Sequence, residues 1–307
     1  MIFSSRLRAG LRAGLQFLLL FLLTVNAFAE ISLPQTDGSV LRLESPAKRV
    51  ITLAPNLAEM MFDAGAGAYL LATVEYSNFP DEAASLPRIG DAFRFDLEQI
   101  MALQPDLVIA WSSGNPAAAL DRLEELGFKV WRTELRQPGD IAFFLRNVAL
   151  ATGNGAAGEN AAMAIEQRLA ALSEKYLGKP MVSYFYQVAE RPLFTLNGAH
   201  IVSQGLTLCG GQNVFADEPV LAPQISRESV LVADPDVLLA PHLPQDPDPL
   251  GHWRNWPRLK AVQNGALYYL AADKISRATP RMLDSLEYAC TLLDQNRSLA
   301  QSSPENS

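Results

Sequence analysis

Cysteine is nearly absent from this chain. Among 307 residues there are two, Cys209 and Cys290, and neither has a partner at C-x-x-C spacing, which excludes a dithiol redox motif and a zinc knuckle. Histidine is almost as scarce, at His200, His242 and His252. No G-x-S-x-G elbow, H-E-x-x-H pair or Walker loop occurs, so the common signatures of hydrolases and nucleotide-binding enzymes are missing and a secreted enzyme is the weaker reading. Gly65-Ala66-Gly67 resembles half of a dinucleotide fingerprint, but it follows a helical pattern and lacks the third glycine, so it reads as a helix C-terminus. Charged residues make up 19% of the chain against 49% apolar, which excludes intrinsic disorder. The apolar run at 15–25 is eleven residues long, short of the ~20 that span a bilayer, and no second long apolar segment follows it.

That short run has the context of a secretory signal peptide. Arg6, Arg8 and Arg12 precede it and Ala27-Phe28-Ala29 follows, giving an expected cleavage after Ala29 and a mature protein outside the cytoplasm, in the periplasm. No cysteine follows the run, so a lipid anchor is not expected. The formal charge of −8 becomes 22 − 33 = −11 once those three arginines are removed, a surface that repels nucleic acid. In an oxidising compartment the isolated cysteine pair invites a disulfide closing a loop of about 80 residues, for which chain entropy gives roughly 4 to 5 kcal/mol. Two buried free thiols are the alternative.

After a hairpin turning at Asp37-Gly38, apolar strand-type runs at 50–53, 69–74, 107–111 and 130–133 alternate with helical patterns at 56–64, 97–103, 117–126 and 141–151. That alternation implies parallel β/α units. A second set of strands follows near 182–186, 237–240 and 266–270. Between the sets, Ala162, Ile165, Leu169, Leu172 and Tyr176 recur at steps of three and four, the stripe of one long helix at 156–176. The expected organisation is a signal peptide at 1–29, an α/β lobe at 30–153, a linking helix at 154–178, a second α/β lobe at 179–298 and a disordered tail at 299–307. An internal repeat supports it: 96–101 and 105–110 match 226–231 and 235–240, each pair 130 positions apart.

In open α/β sheets the ligand crevice lies beyond the carboxyl ends of the strands. Here that means Trp111-Ser112-Ser113-Gly114-Asn115 in one lobe and Pro241-His242 in the other, two edges facing across a helical hinge. His242 shares a Pro-rich loop with Asp246, Asp248 and His252; a solvated loop is expected there in place of a metal site, and His242 stays a candidate ligand contact because of its strand edge. Glu98 and Glu228 each fall two residues after an expected N-cap, Asp96 and Ser226. The helix dipole explains either one. Placing the same carboxylate at the same repeat position of both lobes also suits a two-fold partner with matching cationic pockets.

Several stretches resemble the periplasmic cobalamin-binding proteins of ATP-driven importers, within the group whose two lobes are joined by one rigid helix. They are 49–55 with Glu59; Tyr76-Ser77-Asn78-Phe79-Pro80; Asp96-Leu97-Glu98; 104–111; 209–215; 223–228; and 277–281 leading to Cys290. The resemblance implies two α/β lobes, each a mostly parallel sheet flanked by helices, with a Cys209–Cys290 disulfide in the second lobe. It implies ligand contacts at Tyr76, Trp111, Asp273 and Arg277, and Phe93, beside Ala92, is a further candidate contact. It further implies docking of Glu98 and Glu228 onto arginines of a dimeric inner-membrane permease by a monomeric binding protein with no resident cofactor. The pattern departs at three aromatic positions: Ala92 and Ala222 stand where cobalamin binders carry Trp, and Lys274 follows Asp273 in place of another. The aromatic face offered to a corrin ring is smaller by that much, which widens the expected cargo to related corrinoids; haem and ferric siderophores are the alternatives within the superfamily.

Overall fold

The structure, a computed structural model, describes residues 30–302; the expected signal peptide and residues 303–307 lie outside them. The chain opens with an antiparallel hairpin, β1 (Ile31–Pro34) and β2 (Val40–Leu43), whose turn needs Gly38 at φ 84°. The first lobe then runs β3 (Val50–Thr52), α1 (Pro55–Asp63), β4 (Leu70–Ala72), α2 (Asp81–Ala84), α3 (Leu97–Leu103), β5 (Leu107–Trp111), α4 (Ala117–Glu125), β6 (Val130–Thr133) and α5 (Gly139–Thr152). Its sheet has the order β4-β3-β5-β6, parallel throughout. Val50, Ile51 and Leu107 to Ala110 are fully buried, as expected of parallel strands covered on both faces.

The linking helix α6 (Gly155–Tyr176) packs along α5. Gly158 permits that approach: a Cβ there would meet the Ala149 Cβ at 2.2 Å. Ala162, Ile165, Leu172 and Tyr176 enter a core cluster that draws residues from both lobes. Arg168 on this helix also pairs with Asp284 and Glu287 of the last helix, at 2.8 Å each.

The second lobe follows as β7 (Val182–Tyr186), a short hairpin β8 (Ala189–Glu190) and β9 (Leu193–Phe194), α7 (Ile201–Thr207), β10 (Gly211–Asn213), α8 (Arg227–Ala233), β11 (Val237–His242), α9 (Lys260–Gln263), β12 (Leu267–Ala271), α10 (Ala272–Ile275) and α11 (Met282–Ser302). Its sheet order, β10-β7-β11-β12, is again parallel. Strand β10 and the β8–β9 hairpin carry no apolar run, so the pattern reading passes over them. Helix α11 continues to Ser302, four residues into the segment expected as tail. Cys209 and Cys290 form a fully buried disulfide, Cα to Cα 5.6 Å, tying the end of the α7 segment to α11.

The repeat extends to capping details. Asp96 accepts from the amides of Glu98 (2.9 Å) and Gln99 (3.0 Å), and Ser226 accepts from that of Ser229 (3.0 Å). Both helices end in a left-handed residue, Gln104 and Asp234, each at φ 45°. The aspartate of each Pro-Asp turn then holds the start of the neighbouring strand segment. Asp106 accepts from the amides of Lys48 and Arg49 at 2.9 and 3.0 Å, and Asp236 accepts from that of Ser183 at 3.0 Å.

Candidate ligand-binding cleft

Between the lobes, beyond the carboxyl ends of β3 and β5, lies a cleft of about 680 Å³, within the usual range for small-molecule sites. A cavity of equal volume on the first lobe is lined by mostly polar residues together with Leu41, Phe128 and Val130, and its one arginine, Arg132, is already paired with Asp121 and Glu124. The interlobe cleft is the better site because apolar walls and convergent polar groups meet there.

Four of the candidate contacts come together in it: Tyr76, Trp111, Asp273 and Arg277. Trp111 ends β5, and its indole lies over Gly114, where any Cβ would stand 1.9 Å from the ring. Buried Asn115 shapes this floor by accepting from the Trp111 amide at 2.7 Å while donating to the carbonyls of Leu53 (2.9 Å) and Ala92 (2.7 Å). Tyr76 is 76% exposed at φ 66°, a left-handed conformation unusual for a ring-bearing residue. Arg277 of the second lobe donates to its carbonyl at 2.9 Å.

Phe93 and His242 are not among the lining residues. Phe93 is 69% exposed on the loop that Asp91 holds through the amides of Phe93 and Arg94, each at 2.7 Å. His242 packs its ring against Tyr269, centroids 5.3 Å apart, and its Nδ1 is buried without a partner. The repeat aligns Trp111 with Pro241, and so His242 with Ser112; along a strand, successive side chains turn to opposite faces. His252 also packs its ring against a neighbour, Trp253, at a tilt of 40°. Among the described residues no cluster of three or more His, Cys, Asp or Glu could hold a metal, and no helix is long and apolar enough to cross a membrane.

A buried ion pair bridges the lobes beneath this cleft. Glu59 of α1 is fully buried and receives Arg281, just ahead of α11, through two bonds of 2.7 and 2.8 Å. Arg281 also reaches Asp273 at 3.1 Å and lies 3.8 Å over the Phe79 ring of the first lobe. Arg277 stands 3.9 Å from the same glutamate. One carboxylate of the first lobe thus anchors the second-lobe groups that carry Asp273 and Arg277 into the cleft.

The Periplasmic binding protein family profile matches residues 50–274. The chain belongs to that family. It is 40% identical over 258 residues to the vitamin B12-binding protein of Vibrio cholerae, covering 83% of this chain and 92% of that one. The Vibrio parahaemolyticus vitamin B12-binding protein is 36% identical, at 84% and 94% coverage. Among solved structures, the periplasmic vitamin B12-binding protein of Vibrio cholerae aligns with a TM-score of 0.75 at 38% identity, covering 84% of this chain and 99% of that one. The periplasmic haem-binding protein HutB of the same organism aligns at 0.69 with 20% identity, over 80% and 98% of the two chains, a likeness of fold alone.

One titratable group beside the bridge has no counterpart in the sequence reading. Asp63 lies one turn after Glu59, and its Oδ2 is buried with no partner. Burial first, and the Glu59 charge second, push its carboxyl up to about 7 against the pull of Arg281. The folded protein therefore holds this proton more tightly than the unfolded chain does. The resulting stabilisation is complete below about pH 4 and is lost as pH rises to about 7. Relative to Asp63→Asn, the wild type should lose roughly 2 to 4 kcal/mol between pH 4 and pH 8. Denaturant titration of both proteins at each pH measures this, and parallel pH profiles would show that Asp63 is ionised throughout.

Proposed function

We propose that the protein is an extracytoplasmic solute-binding protein, exported with cleavage after Ala29, that captures cobalamin or a related corrinoid and hands it to the permease of an ATP-driven importer. The observation that carries this reading is the shared architecture, at 38% identity over 84% of the chain, with a structure named for vitamin B12 binding. The corrinoid is cargo: the reading assigns no catalysis and no resident cofactor, and the protein acts as a monomer. Tyr76, Trp111, Asp273 and Arg277 form the contact set; Phe93 and His242 are left out because neither lines the cleft. Glu98 and Glu228, exposed in the first turns of α3 and α8, dock onto the two halves of the permease dimer.

Calorimetric titration with cobalamin, cobinamide, haem and a ferric siderophore tests the ligand. A 1:1 complex with a corrinoid is expected; heat from haem or the siderophore alone would reassign the cargo. Trp111→Ala should weaken corrinoid binding by about 1 to 3 kcal/mol, the loss typical of a large stacked side chain. An unchanged affinity would return the indole to a purely structural place on the cleft floor.

A further inference from the structure

His200 lines the same cleft, on its second-lobe side, as the N-cap of α7. Its Nδ1 accepts the amide hydrogen of Val202 at 3.2 Å. A backbone amide only donates, so Nδ1 is unprotonated and the neutral ring carries its hydrogen on Nε2. No protein group bonds Nε2 among the described residues. Burial, with Arg136 of the opposite lobe adding repulsion, pushes the imidazole down to about 4, so the ring stays neutral at physiological pH. In this tautomer the Nδ1 lone pair is committed to the helix and Nε2 bears the hydrogen, so ligating a metal would require giving up the cap bond or the Nε2 proton.

We infer that His200 is a specificity residue of this cleft, an Nε2–H donor that bonds an uncharged acceptor oxygen on the ligand's periphery and does not ligate its metal. This rests on the corrinoid reading above, whose peripheral amide carbonyls are acceptors of that kind. Both nitrogens have work to do, and two substitutions separate them. His200→Gln keeps a donor at the reach of Nε2 but gives up the cap; His200→Asn keeps a capping oxygen but gives up the reach.

Cobalamin titration of both variants beside the wild type, with thermal melts, is the test. The donor role requires His200→Asn to lose roughly tenfold in affinity while keeping its melting temperature, and His200→Gln to bind within a few-fold of wild type while melting lower. The reverse pattern, or equal losses, would reduce His200 to a helix cap and overturn the inference. Aquocobalamin supplies a second arm, since its axial water is exchangeable: an absorption shift on binding that disappears in His200→Gln would mean that the imidazole ligates cobalt, which also overturns it. A wild type that binds no corrinoid sinks the proposed function and this inference together, whereas normal wild-type binding with unaffected His200→Asn sinks the inference alone.

Discussion

Corrinoid uptake should fall to background in cells whose only binding protein carries Glu98→Ala together with Glu228→Ala, while the purified variant keeps its ligand affinity. Both carboxylates sit at the second position of a seven-residue helix, both are exposed, and neither has an ion-pair partner among the described residues. The helices occupy equivalent places in the two lobes, each followed by the same turn and strand, so the charges are set out for a partner with two matching sites. Carboxylate to arginine contacts supply geometry as well as attraction. Removing one partner of a desolvated pair typically costs about 2 to 5 kcal/mol, and the double variant loses two of them. The dipole alone forecasts otherwise: a loss of a few tenths to about 1 kcal/mol per helix in stability, with uptake intact. Uptake assays and ligand titration on the same variant separate the two, and normal transport would leave Glu98 and Glu228 as helix-terminal charges only.

The second large effect concerns the bridge between the lobes. Arg281→Met should destabilise the protein by about 3 to 5 kcal/mol, because it strands the fully buried Glu59 with only Arg277 in reach, 3.9 Å away. A second change, Glu59→Leu on top of Arg281→Met, should recover a large part of that loss, since a buried pair replaced by apolar side chains is often neutral overall. The expected coupling in a double-mutant cycle is about 2 kcal/mol or more. Additive losses would mean that the two side chains do not meet in solution and that the lobes stand further apart than described. The same bridge argues for a largely preformed cleft: pulling the lobes apart would break the pair, the Phe79 stack and the Arg277 to Tyr76 bond at once.

Much of this architecture was legible from local pattern. Strands β5, β6 and β7 and helix α3 fall on the expected residues, because continuous apolar runs bounded by turn residues leave little choice of period. The linking helix was visible in its single apolar stripe and begins one residue earlier than expected. The repeat foretold the twin N-caps at Asp96 and Ser226, since capping is a bond between a side chain and an amide two or three residues away. Strand β10 was missed for the complementary reason: Gly-Gln-Asn has no apolar signal, and it is a strand only because β7 offers it an edge.

The cleft was legible as a place and not as a set of contacts. The carboxyl ends of the strands marked where it lies, and Tyr76, Trp111, Asp273 and Arg277 line it, yet His242 turns to Tyr269 while His200, which no pattern singled out, faces the cavity. Glu59 and Arg281 are 222 positions apart and belong to different lobes, so no periodicity relates them. Spacing along the chain governs interactions that close within a turn or two, which is why element type, capping and the two-lobe plan could be read from residue order. Burial of Glu59, the raised Asp63 and the tautomer of His200 depend on which surfaces the packed lobes remove from water, and those surfaces exist once both sheets are folded against the linking helix.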